Sequence, residues 1–222
     1  MTSGIITAFR EGGIWMIFIM IAQLASLALI AERAFALYVL RKPNQKNLVA
    51  QFERDIKAGS LDRVISQARN MGSTPIAIVA QAGAQAANDM GGKEEIQLKI
   101  DEVLLEEQSR LDKRIGFLAM LGNVGTLLGL LGTIVGLIKA FSSVGQASAV
   151  EKAAILSQGV SEAMYATAYG LIMALPALIM FSVLQARANE LSEDLSKAAL
   201  KIYIWLGFNY ESVPTSTSKK KA

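Results

Sequence analysis

The sequence predicts an all-α membrane protein in which three transmembrane helices carry long cytoplasmic helical extensions. Three observations predict it. Apolar runs at residues 14–31, 115–138 and about 155–184 each supply the ~20 residues that a helix rising ~1.5 Å per residue needs to cross ~30 Å of hydrocarbon. Of 222 residues, 52% are hydrophobic and 18% charged, whereas soluble domains carry about 25% charged residues. Finally, lysine and arginine gather at one end of each run, as the positive-inside rule requires of a consistent topology.

Composition also excludes chemistry. The chain has no cysteine and no histidine, which removes disulfides, thiolate nucleophiles, structural zinc and imidazole relays together. No Walker loop or dinucleotide fingerprint occurs, so no enzyme and no cofactor or metal is expected. The net charge is +3 and the pI about 9.1. The basic residues lie beside apolar runs and in a tail, without interleaved aromatics, so the basicity reflects membrane topology rather than nucleic acid.

The first segment, 1–40, holds the first span, with Gln23 and Ser26 as its polar residues and Glu32 and Arg33 as an interfacial pair. A cleaved signal peptide is the rival reading. Arg10 is offset by Glu11, and Arg33, Arg41, Lys42 and Lys46 follow the run, so the cationic leader is missing and an uncleaved span with its N-terminus outside is expected. Residues 41–114 form a cytoplasmic helical region. Helix signals cover 43–57, 60–70 after the Gly59 break, and 74–88, where Thr74 is placed to cap and Pro75 to occupy the first helical position. Gly91 and Gly92 end the last of these. From Lys93 to Ala140 there is no proline, and no glycine until Gly116, so the charged stretch is expected to run into the second span as one rod of about 70 Å.

The second span occupies 115–140, preceded by Arg110, Lys113 and Arg114, which places its entry on the cytoplasmic side. A short periplasmic loop, 141–154, leads to the third span, 155–184. Residues 185–222 continue as a cytoplasmic helix to about Trp205, with Arg187, Lys197 and Lys201, and end in a tail with Lys219, Lys220 and Lys221 that reads as disordered.

Two faces of the second span stand out. Thr126 and Thr133 fall within about 20° of each other on the helix, with Asn123 about 60° away. Gly122, Gly125, Gly129, Gly132 and Gly136 form an adjoining stripe, and such small residues let backbones approach closely. The third span matches it: Gly159, Ala163, Ala166, Gly170, Ala174 and Ala177 share one face, flanked by Thr167 and Glu162. Pro176 removes the hydrogen-bond partner of Ile172 and is expected to kink the helix. With nothing expected to cover these stripes inside a three-helix monomer, subunits should assemble as a ring. Glu162 is the one ionisable residue well inside a span, where a carboxylate costs at least ~2.5 kcal/mol, so it should face a bundle interior, a partner or water at the interface.

These residues carry a resemblance. Gly122-Asn-Val-Gly-Thr-Leu-Leu-Gly-Leu-Leu-Gly-Thr-Ile-Val-Gly136 and Gly159-Val-Ser-Glu-Ala-Met-Tyr-Ala-Thr-Ala-Tyr-Gly-Leu-Ile-Met-Ala-Leu-Pro176 resemble the two signature spans of the MotA/TolQ/ExbB proton-channel family. The three-span plan is similar to its ExbB/TolQ branch. That branch commonly has a proline where Thr126 stands, so this chain has an additional polar group there.

The resemblance implies a pentamer around two copies of a single-span ExbD/TolR-like partner with an ion-accepting aspartate. It also identifies Thr133, Thr167 and Glu162 as the family's polar span residues. The function it implies is that of an inner-membrane stator subunit using the proton motive force to energise outer-membrane transport, envelope maintenance or motility, with an outer-membrane or periplasmic protein receiving the force. The alternative is a non-conducting scaffold that assembles an envelope complex. Three spans without inverted repeats argue against a secondary transporter.

Overall fold

The computed structural model describes residues 14–40, 45–72, 74–89, 92–146 and 149–209. The expectations concerning Arg10, Glu11, Arg41, Lys42, Gly91 and the tail at 215–222 lie outside the described residues. Every element described is helical: α1 (Trp15–Ala34), α2 (Gln45–Lys57), α3 (Leu61–Asn70), α4 (Pro75–Asn88), α5 (Lys93–Asp112), α6 (Ile115–Ser143) and α7 (Ala149–Asn209). Three helices are long and apolar enough to span a bilayer, and the chain is a multi-pass membrane protein.

The chain divides into two compact units. The first comprises residues 1–36 and 113–186, the second residues 37–112 and 187–222.

In the first unit, α1 buries Met16, Ile19, Ala22 and Ser26, residues spaced three and four apart that share one face. Its opposite face presents Ile17, Phe18, Ile21 and Leu24, as suits a helix bathed in lipid. Ile19 and Ala22 meet Met173 of α7, with Leu121 and Leu128 of α6 packed around them. A π-helical turn, Phe35–Leu40, prolongs α1.

The buried residues of α6 are Ile115, Leu118, Gly122, Gly125, Gly129, Gly132, Gly136 and Ala140. This seam is therefore made of glycine over most of its length. It packs against α7 in antiparallel register. A Cβ added to Gly136 would lie 3.2 Å from Ala163 Cβ, one on Gly132 2.7 Å from Ala166 Cβ, and one on Gly125 3.4 Å from the Gly170 carbonyl oxygen. The expectation that these stripes find no cover within the monomer is therefore corrected: each buries the other inside one chain. Apolar side chains such as Leu127, Leu130, Ile134 and Leu175 are left outward instead.

The second unit is a helical bundle. Phe52, Ile56, Val64, Ile76, Ile96 and Ile202 lie fully buried in its core, and α4 contributes small residues that let its neighbours close in. A Cβ on Gly83 would meet Leu206 Cδ1 at 2.9 Å and Ile100 Cδ1 at 3.0 Å. Pro75 opens α4, but Thr74 does not cap it with its side chain. The Thr74 hydroxyl donates backward to the Met71 carbonyl at 3.0 Å, and the Thr74 carbonyl accepts the Ile78 N–H. Beyond residue 186, α7 runs to Asn209, somewhat further than the Trp205 limit expected.

Two connections differ from expectation. The single rod through Lys93 and Ile138 is interrupted, because α5 ends at Asp112 and α6 starts at Ile115, with Arg114 left-handed at φ 63°. Among the described residues Arg114 is the one non-glycine with positive φ, a conformation that costs an L-residue ~1–2 kcal/mol. Between the second and third spans, α6 continues to Ser143 and α7 begins at Ala149, so the link is shorter than 141–154. Pro176 lies inside α7, which passes through it as one helix.

Candidate functional site

The glycine seam determines what the polar side chains of the spans can reach. At Gly129, where an added Cβ would sit 3.1 Å from the Ala166 carbonyl oxygen and 3.3 Å from Thr167 Cα, the two backbones are in direct contact. Thr167 Oγ1, on α7, therefore reaches across to donate to the Gly129 carbonyl on α6 at 3.2 Å. Thr133 Oγ1, one turn along α6, lies 3.1 Å from the same carbonyl and 3.3 Å from the Ala163 carbonyl of α7. The two hydroxyls are also hydrogen-bonded directly to each other, and either can be the donor.

This cluster has two movable protons and more acceptors than protons. Each threonine hydroxyl carries one proton and can rotate, so the Thr133 proton can point to Gly129, to Ala163 or to Thr167, and the Thr167 proton to Gly129 or Thr133. Rotation passes the donor role along without creating fixed charge. The cluster is half-buried, so water competes little for these bonds and their mutual strength rises.

The other candidate residues lie apart from this pair. The Thr126 hydroxyl donates to the Asn123 carbonyl of its own helix at 2.7 Å, the local back-bonding open to any helical threonine. The Asn123 side chain is exposed. Glu162 stands five residues before Thr167, about 7.5 Å along the axis. Its Oε2 lies 3.9 Å from Lys139 Nζ, the carboxylate side chain 27% and the lysine 72% exposed. Ser157, Gln158 and Ser161 line a shallow open groove beside it. Glu162 is thus neither in an apolar interior nor free: it lies toward the end of the α6–α7 pair where the two helices are connected, opposite a cation. Among the described residues no group of three or more acidic side chains stands close enough to share a metal ion.

Sequence reasoning did not single out Lys139, because it closes the second span's uncharged run and reads as an ordinary flank. Its relation to Glu162 needed the antiparallel register. The same holds at the opposite end of the spans, where Arg114 Nη1 contacts both carboxylate oxygens of Glu32 at 2.8 and 3.1 Å, while Arg33 Nη2 holds Oε1 at 2.8 Å. The Gly129 carbonyl was also missed, since a glycine chosen for packing gives no sign that its backbone oxygen serves two hydroxyls.

Comparison with known proteins adds to this geometry. A model described as the MotA/TolQ/ExbB proton channel family matches residues 72–197, which takes in α4, α5, α6 and most of α7. Two proteins named biopolymer transport protein ExbB, from Neisseria meningitidis serogroup A and serogroup B, are each 25% identical over 202 residues, covering 86% of this chain and 89% of theirs.

Proposed function

The chain belongs to the MotA/TolQ/ExbB proton channel family, a family of channels rather than of enzymes, and from that premise we propose that it is the stator subunit of an ion-driven motor in the bacterial inner membrane. In this reading five copies surround two copies of a single-span ExbD/TolR-like partner, with the N-terminus periplasmic and the C-terminus cytoplasmic. The positive-inside distribution of Arg33, Arg110, Lys113, Arg114 and Arg187 supports that orientation.

The observation that carries the reading is the Thr133–Thr167 pair on facing spans. A hydroxyl pair with spare acceptors can donate to a carboxylate when one partner rotates away, and accept from a hydronium or a protonated carboxyl when it rotates back, at no cost in buried charge. Beside a partner's membrane aspartate it would serve as a relay. Each proton that crosses releases ~2.3 kcal/mol per 100 mV, and repeated protonation and release of that aspartate would turn the partner against the ring. Thr126 and Asn123 add polar surface to the same helix, and Glu162 with Lys139 marks the outer end of the path. The force would act on an outer-membrane or periplasmic protein, serving outer-membrane transport, envelope maintenance or motility.

The test is proton flux, or energised output, in cells whose native copy is deleted and which express this chain with its partner. Native mass spectrometry of the complex from mild detergent should show a ring. A stable monomer with no ring in lipid would overturn the motor reading.

A further inference from the structure

The second unit has a closed core and two apolar stripes left bare. On α5 the core side chains Ile96, Ile100 and Leu111 recur at helical spacing, and Leu98 and Leu105 stand on the opposite side, 69% and 67% exposed. The end of α7 repeats the design: Leu195, Ile202 and Leu206 are buried, while Leu200, Ile204 and Phe208 are 59%, 54% and 85% exposed on the far face. Single exposed leucines need no explanation. Two stripes of them, each opposite a core face of the same helical bundle, mark a contact surface.

The stripes differ in charge. Leu98 lies in an open groove shared with Glu94, Glu95, Lys99 and Glu102, and the acids Asp101 and Glu106 follow on the same helix. From Leu195 to Asn209, by contrast, α7 carries Lys197 and Lys201 and no carboxylate. They also share one level. Gln108 donates to Ser196 Oγ at 3.1 Å, and a Cβ on Gly207 would lie 3.5 Å from Lys93 Cε. The two helices are therefore antiparallel neighbours, and Leu98 and Leu105 fall level with Leu200 and Ile204. Both stripes extend about 10–12 Å along the axis. Rotation about an axis running along these helices keeps every residue at its own height, so a ring needs two unlike, complementary patches at one level.

We propose that the two stripes are the halves of one head-to-tail interface between copies of this chain. The basic end of α7, with Leu200, Lys201, Ile204 and Phe208, lies along the acidic Leu98 and Leu105 face of α5 in the next copy. The inference rests on the ring reading above and assigns the ring's closure beyond the membrane to leucine packing and opposite charge, while the α6–α7 glycine seam closes within each chain.

The absence of cysteine makes cross-linking clean. Two differently tagged full-length copies, one L98C and the other I204C, are co-expressed with the partner protein and oxidised in membranes. The mixed-tag dimer is expected, and neither L98C with L98C nor I204C with I204C should match it. Adding Lys201→Glu to the I204C copy should lower the mixed yield about fivefold, a change of ~1 kcal/mol, and Glu102→Lys in the L98C copy should restore it. A like-with-like dimer as strong as the mixed one overturns the proposal. So does an intrachain link from L98C to S218C in place of the mixed dimer, which would make the chain's own basic tail the occupant of the groove. A ring seen by native mass spectrometry without the mixed link overturns this interface and leaves the motor reading standing. Absence of any ring removes both.

Discussion

Thr133 and Thr167, on antiparallel spans, bond to each other and both reach the carbonyl oxygen of Gly129. Three polar atoms from two helices thus meet where the glycine seam brings the backbones together. If the pair only ties two helices, replacing either hydroxyl by a methyl group should cost about 0.6 kcal/mol, the average for a hydrogen bond between membrane helices. As a relay it should cost all function. We expect Thr133→Val and Thr167→Val each to assemble normally with the partner yet lose ion-driven output, and Thr→Ser at either site to recover part of it. Thr126→Val should be milder, since that hydroxyl bonds its own helix. Complex yield measured with proton flux decides it, and full flux in both valine variants would favour a scaffold.

Glycines of the seam differ in what surrounds them, which gives a graded test of the packing. A Cβ on Gly170 would lie 2.6 Å from the Gly125 carbonyl oxygen and 2.9 Å from Gly129 Cα, backbone atoms that cannot move aside, whereas one on Gly116 meets nothing within 4 Å. Gly170→Ala should therefore destabilise the spans by about 1–3 kcal/mol, the usual cost of overpacking, and pull the two threonines apart. Gly116→Ala should be neutral. Thermal unfolding of both variants in detergent checks the difference.

Near the α6–α7 connection, Glu162 faces Lys139 across 3.9 Å with the lysine 72% exposed, so the pair should add no more than ~1 kcal/mol to stability. Its effect on function should be larger. Glu162→Ala is expected to reduce energised output more than Glu162→Gln, which keeps shape and hydrogen bonding. Lys139→Glu should also reduce it, with the swap Lys139→Glu/Glu162→Lys recovering part. Wild-type output from both Glu162 variants would confine this carboxylate to the solvated interface.

The left-handed backbone at Arg114 sets a further expectation. Arg114→Gly relieves ~1–2 kcal/mol of backbone strain and forfeits only the half-exposed, solvent-screened bonds to Glu32, so its stability should match or slightly exceed wild type. Arg114→Val keeps the strain, adds a β-branch that the left-handed region does not accommodate, and loses the ion pair. It should melt lower than Arg114→Gly, and equal melting temperatures would show that the turn is not strained.

Much of this protein was determined by local composition. Each span was legible because its length follows directly from bilayer thickness, and α3 and α4 because Gly59 and Pro75 punctuate the chain whatever surrounds them. Helical periodicity assigned the threonines and the glycine stripe to faces, and the family resemblance singled out Thr133, Thr167 and Glu162 among the polar residues.

What faces what was decided by the tertiary structure. Periodicity indicates that Gly129 and Gly132 share a stripe, but not that the stripe closes on Ala166 and Gly170 of the same chain rather than on a neighbour. The difference lies in the register of two antiparallel helices, which depends on every contact along their length. The Lys139–Glu162 pair and the doubly used Gly129 carbonyl follow from that same register. The break at Arg114 was not legible either: no glycine or proline announces it, and only the structure shows Arg114 on Glu32 with Ile115 and Leu118 buried just beyond it.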